Sequence, residues 1–120
     1  MPAGNAGAGL IMTEGILLAL STFPDAEIAR RISNQLVDER FAACANILPA
    51  VESVYRWKGK IESGSEILVF FKVSQDQQSA FQDKLRSLHP YDVPEIVFLE
   101  IGSGLPEYLQ WVSENCRQAR

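Results

Sequence analysis

Soft metal donors are scarce in this chain, which has one histidine and two cysteines among 120 residues. Cys44 and Cys116 lie far apart, with no C-x-x-C or C-x-x-H spacing beside either. That pattern excludes a disulfide framework and a zinc module, and it fits a reducing, cytoplasmic setting. A basic surplus is missing too: eleven Lys and Arg against fifteen Asp and Glu leave a net charge of -4. This is the wrong sign for a protein that neutralises phosphates, so nucleic acid is not an expected partner. Long hydrophobic runs are also absent. The stretch "GILLALSTF" (residues 15–23) follows Glu14, has no basic segment before it and no small-residue cleavage pattern after it. It is too short to span a bilayer and lacks the flanks of a signal core, so no membrane association is expected.

Apolar residues are plentiful, at 47% of the chain, enough to build a globular core. The Gly/Ala-rich head has no periodicity, so residues 1–12 read as a disordered extension and residues 13–120 as a single domain. "GILLALSTF" is apolar on both faces, as in a central strand. After Pro24 and Asp25 the period changes, and Ile28, Ile32, Leu36 and Val37 form a helical stripe ending near Arg40. Alternation then returns twice: Val51, Ser53, Tyr55 and Trp57 share one face, and Ile67, Val69, Phe71 and Val73 share one face of the next strand. A reversal at "KGK" or "SGS" makes these a long hairpin. Ser74 and Gln77 have capping-box spacing before a helix carrying Phe81, Leu85 and Leu88, which Pro90 stops. "PEIVFLEIG" reads as a strand. A last helix follows, with Pro106 in its first turn and Leu105, Tyr108, Leu109 and Val112 on its inner stripe.

The order β-α-β-β-α-β plus a terminal helix defines an α+β, ferredoxin-like split β-α-β sandwich, with both crossover helices on one sheet face. The opposite face carries Leu68 and Phe70 between Glu66 and Lys72 on the third strand. An apolar patch of that size is uncommon on a soluble monomer, so self-association is expected.

Several runs are specific enough to carry a resemblance: "ERFAACANILPAVESVYRWKGKIESGSEILVFFK", "LHPYDVPEI" and "YLQWV". In this order they resemble the CutA family of divalent-cation tolerance proteins from about Gly15 to the final helix. The resemblance implies a homotrimer, an association with copper and other divalent metals, and no established catalytic activity. The matching motif positions are Cys44, Asn46, Pro49, Tyr55, Trp57, Lys60, Glu62, Glu66, Lys72, His89, Pro90, Tyr91, Pro94, Glu95, Tyr108 and Trp111. Copper-binding members carry a cysteine near the end of the first strand and a histidine doublet before the "PY" pair. Here those positions hold Ser21 and Leu88, neither of which is a useful copper donor.

His89 has two readings, a metal ligand assisted by Asp92 or a helix-terminal residue bonded to backbone carbonyls. Cys44 is a weaker metal candidate and otherwise a small core residue. Tyr55, Trp57, Lys60, Glu62, Glu66, Lys72, Tyr91, Glu95, Tyr108 and Trp111 either line an inter-subunit cleft or fill subunit contacts. Divalent-cation binding, Cu(II) above all and weak, is thus the leading functional expectation, with no tightly bound cofactor. A small-molecule or partner-binding signalling trimer is the alternative. Acylphosphatase-like catalysis ranks last, because "STFPDAE" lacks a glycine-rich, arginine-bearing phosphate cradle.

Overall fold

In the computed structural model, residues 15–116 are described; the expected extension over residues 1–12 lies outside them. β1 (Ile16–Phe23) is almost fully buried and occupies the middle of a four-stranded antiparallel sheet of order β2-β3-β1-β4. Its two-sided apolar sequence fits that position, since both faces of a central strand need cover. This is the ferredoxin-like order, completed by β2 (Cys44–Trp57), β3 (Lys60–Ser74) and β4 (Val97–Ile101).

Helix α1 (Ala26–Asp38) starts where the Asp25 carboxylate accepts a 2.8 Å bond from the Ile28 amide, and it buries Ala29, Ile32, Ser33 and Leu36. Its end is a Schellman motif: the Phe41 and Arg40 amides donate back to the Leu36 and Val37 carbonyls. Arg40 sits in the left-handed region with φ 66. A side chain there costs about 1 kcal/mol that glycine avoids. Arg40→Gly is therefore expected to raise unfolding stability by about 1 kcal/mol in urea titrations, and a destabilised variant would contradict this reading.

The hairpin reverses at Lys58–Gly59, both with positive φ, as a two-residue primed turn requires. Ser63, Gly64 and Ser65 instead lie within the ladder opposite Val54, Ser53 and Glu52. They fail as a turn because the two-residue loop at Lys58–Gly59 already sets the register. Between the Leu48 and Val51 pairings the ladder is irregular, where Pro49 has no amide to donate. Only residues 67–74 of β3 also pair with β1. The rest of the hairpin is a two-stranded arm, and it accounts for the elongated 53 × 28 × 23 Å shape.

The capping box expected at Ser74 does not form. Its hydroxyl donates to Asp76 at 2.6 Å, and a short 3-10 turn, Gln75–Gln77, precedes α2 (Gln78–Leu88). The helix starts only after that turn, with Gln77 at its N-cap, so Ser74 does not stand at the capping position. The fourth strand is shorter than "PEIVFLEIG" suggested, since residues 94–96 lie outside the ladder.

The main core lies between the sheet and the first two helices, joining Ala19, Phe23, Val69 and Phe71 to Ile32, Leu36, Phe81 and Leu85. Phe81 meets Phe71 and Phe98 edge to face. Helix α3 (Pro106–Asn115) covers one end of the other face, where Val112 and Cys116 pack on Ile16 and Ala43. Leu105 and Tyr108, expected on its inner stripe, are exposed: Leu105 is the residue before the first helical turn, and the buried stripe runs through Leu109, Val112 and Cys116. Beyond α3 that face stays open, with Leu18, Leu20, Leu68 and Phe70 half-buried and Val97 and Leu99 exposed. Among the described residues no helix is long and apolar enough to cross a membrane.

Candidate functional site

His89 caps the C-terminus of α2 in extended conformation, its amide bonded to Leu85 O, and only 8% of its surface is exposed. Its ring lies 4.7 Å from Phe23 in a near-parallel stack and 4.8 Å from Tyr91. Nε2 is 2.8 Å from the Thr22 carbonyl, and Nδ1 accepts the Tyr91 amide at 3.1 Å. A carbonyl can only accept and an amide can only donate, so these partners select the neutral tautomer with the proton on Nε2. Burial pushes the imidazole below its ordinary pKa, against the opposing effects of the Thr22 carbonyl and the Glu66 charge. Tyr91 extends the group by donating its hydroxyl to Glu66 at 2.7 Å. Burial first, and then this carboxylate, push the phenol well above its usual range, with smaller contributions from Tyr55 and Asp25.

This geometry bears on the expectation of a copper ligand at His89. Both ring nitrogens are engaged, and the one lone pair of the neutral ring is already used on an amide. Ser21, where a cysteine was expected, is fully buried on the helix-facing side of β1, and Leu88 packs against the main core. Asp92 is exposed. Cys44 stands opposite Lys72 at the level of Leu18, four residues along β1 from Thr22, about 13 Å away. Among the described residues no group of three or more His, Cys, Asp or Glu could hold a metal ion.

The remaining candidates fall into separate places. Cys44, Asn46, Lys72 and Tyr108 meet at the α3 end of the open face. There the Lys72 ammonium donates to the Asn46 side-chain oxygen and lies 4.0 Å from the Cys44 sulfur. Partial burial first, and then the neighbouring Cys44, raise the Tyr108 phenol, and its ring stacks on Trp111. Tyr55 and Trp57 face Glu62 and Lys60 across the arm, and Glu95 is exposed in the segment before β4. One chain thus divides the expected cleft residues into separate groups: Glu66 with Tyr91, Lys72 with Tyr108 and Trp111, the four arm residues, and Glu95 by itself. Thr22 and Phe23, which hold the His89 ring, escaped the sequence reading. A backbone carbonyl carries no side-chain signal, and Phe23 looked like any core residue.

These features define a class: a ferredoxin-like subunit with an open apolar sheet face, a projecting hairpin arm and a histidine locked inside a turn. Residues 17–115 match the family model described as CutA1 divalent ion tolerance protein. The chain belongs to that family. It is 44% identical over 98 residues to the divalent-cation tolerance protein CutA of Thermus thermophilus, covering 82% of this chain and 95% of that protein. It is 39% identical over 113 residues to human protein CutA, covering 94% of this chain but only 63% of the human one. The crystal structure of CutA from Xylella fastidiosa superposes with a TM-score of 0.83 at 42% identity, over 86% of this chain and 99% of that one.

Proposed function

We propose that this protein works as a cytoplasmic homotrimer in divalent-cation tolerance, without catalysis, and that it meets Cu(II) or related ions only weakly. The open sheet face carries the reading. It joins half-buried Leu18, Leu20, Leu68 and Phe70 to an arm that exposes Trp57 at 58% and Ile61 at 63%. Apolar surface of that extent is stabilised by burial against copies of itself, over a total interface of about 1,600 Å² or more. Two free cysteines, Cys44 and Cys116, suit a reducing compartment. The absence of catalysis rests on how the titratable groups are spent, since His89, Tyr91 and Glu66 bond to one another and to backbone. The tolerance reading stands ahead of the signalling-trimer alternative because the family match is to ion tolerance.

Sedimentation of the tag-free chain tests the assembly: the expected mass is three times the 13.3 kDa of one chain. A monomer at micromolar concentration would refute it. Copper tests the donor assignment. Isothermal titration with Cu(II) is expected to give the same weak affinity for wild type and His89→Gln, because exposed single donors such as Asp92 carry what binding there is. A clear loss of affinity in the variant would return His89 to the metal site.

A further inference from the structure

We infer that the turn over residues 89–91 is a pH-gated clamp at the base of the hairpin arm, closed while His89 is neutral and opened by its protonation. The partners of the two ring nitrogens carry the argument. Thr22 O fixes the proton on Nε2, at the end of β1, while the Tyr91 amide needs a lone pair on Nδ1. A second proton on Nδ1 leaves two donors facing one another at 3.1 Å, and the amide bond is lost. The Thr22 carbonyl favours the charged ring, but it supplies no acceptor for the Tyr91 amide, which is left without its partner.

The position of the turn gives the loss a mechanical consequence. Tyr91 lies tilted against the imidazole, 4.8 Å between ring centroids, and holds Glu66 through its hydroxyl. Glu66 pairs with Val51 where β3 leaves its pairing with β1 and the two-stranded arm begins, immediately beyond the irregularity around Pro49. The clamp therefore ties the end of β1, the end of α2 and the root of the arm together through one cluster of rings, Phe23, His89 and Tyr91. Charged and titratable groups around it are Glu66 on β3, Tyr55 on β2 and Asp25 before α1, with Tyr91 in the turn itself. Glu66 favours the charged imidazole, but burial outweighs it and lowers the pKa below the ordinary 6.5. For a base lowered on folding, the contribution to stability is complete above the unfolded-state value near 6.5. It is lost as pH falls through the lower folded value.

Nitrogen-15 NMR of the full chain tests the clamp, reading the imidazole nitrogens and the Tyr91 amide protection factor between pH 7.5 and 5. The expected result is an Nε2–H tautomer at neutral pH, titration below 6.5, and a loss of Tyr91 protection of about tenfold in step with it, the equivalent of one hydrogen bond. Glu66→Gln keeps an acceptor for the Tyr91 hydroxyl but cannot titrate and no longer favours the charged imidazole, so the transition should persist in it at a lower pH. His89→Gln can still donate to Thr22 and should abolish the transition. Tyr91 protection that stays constant while His89 titrates overturns the inference, and so does a transition that disappears in Glu66→Gln. Both readouts come from wild type and Glu66→Gln, so the test survives a failure of His89→Gln to fold.

Discussion

Phe70→Asp is expected to reduce the mass in solution from three chains to one. Phe70 lies between Leu20 and Asn46 on the open sheet face, half-buried within the monomer and available to cover a copy. A carboxylate there would be desolvated in the contact, and Lys72, the cation on that face, is already held by Asn46, so the penalty is several kcal/mol per chain, roughly the scale of a broken buried ion pair. The monomer tolerates the change better, because the same side chain then faces water. Phe70→Leu keeps apolar area and should sediment as wild type. Sedimentation velocity at micromolar concentration decides the matter: an Asp variant that retains the wild-type mass places the contact elsewhere.

Phe71→Ala should act in the opposite manner, lowering stability while leaving subunit number unchanged. The neighbouring residue points to the other face, where it is fully buried and meets Phe81 at 5.2 Å between ring centroids. Removing a buried phenylalanine costs about 3–5 kcal/mol through lost burial and the remaining cavity. Urea titrations at one fixed chain concentration measure it, since association makes the midpoint concentration-dependent. A loss below about 1 kcal/mol would mean that the core collapses around the gap. The two variants together separate surface that closes the fold from surface that closes the assembly, one residue apart.

The fold was largely legible because its period changes are strong. Two-sided apolarity marked β1 as central, alternation marked the hairpin strands, and Ile32 and Leu36 marked the face of α1. Local signals misled where two of them competed. Residues 58–60 and 63–65 each offered one glycine for the reversal, and only Lys58–Gly59 adopts the positive φ angles of the turn. Ser74 had the right spacing for a cap, and the helix starts only after the turn that follows it. Leu105 fell on the apolar stripe of α3 but stands before its first turn, where the helix does not carry it inward.

The candidate site was legible as a set of residues and illegible as a geometry. The sequence by itself determined the strand and helix order, the two faces of the sheet and the resemblance carried by "LHPYDVPEI", because periodicity and motif spacing are properties of the chain alone. It also presented both possible roles of His89. Only the tertiary structure gives the ring its partners, by bringing the Thr22 carbonyl, distant in sequence, to Nε2 and folding the Tyr91 amide back to Nδ1. The tertiary structure likewise parted His89 from Cys44 and joined Tyr91 to Glu66. The physical reason is the same throughout: which lone pair is free depends on backbone groups that every residue carries alike, and only folding assigns them partners.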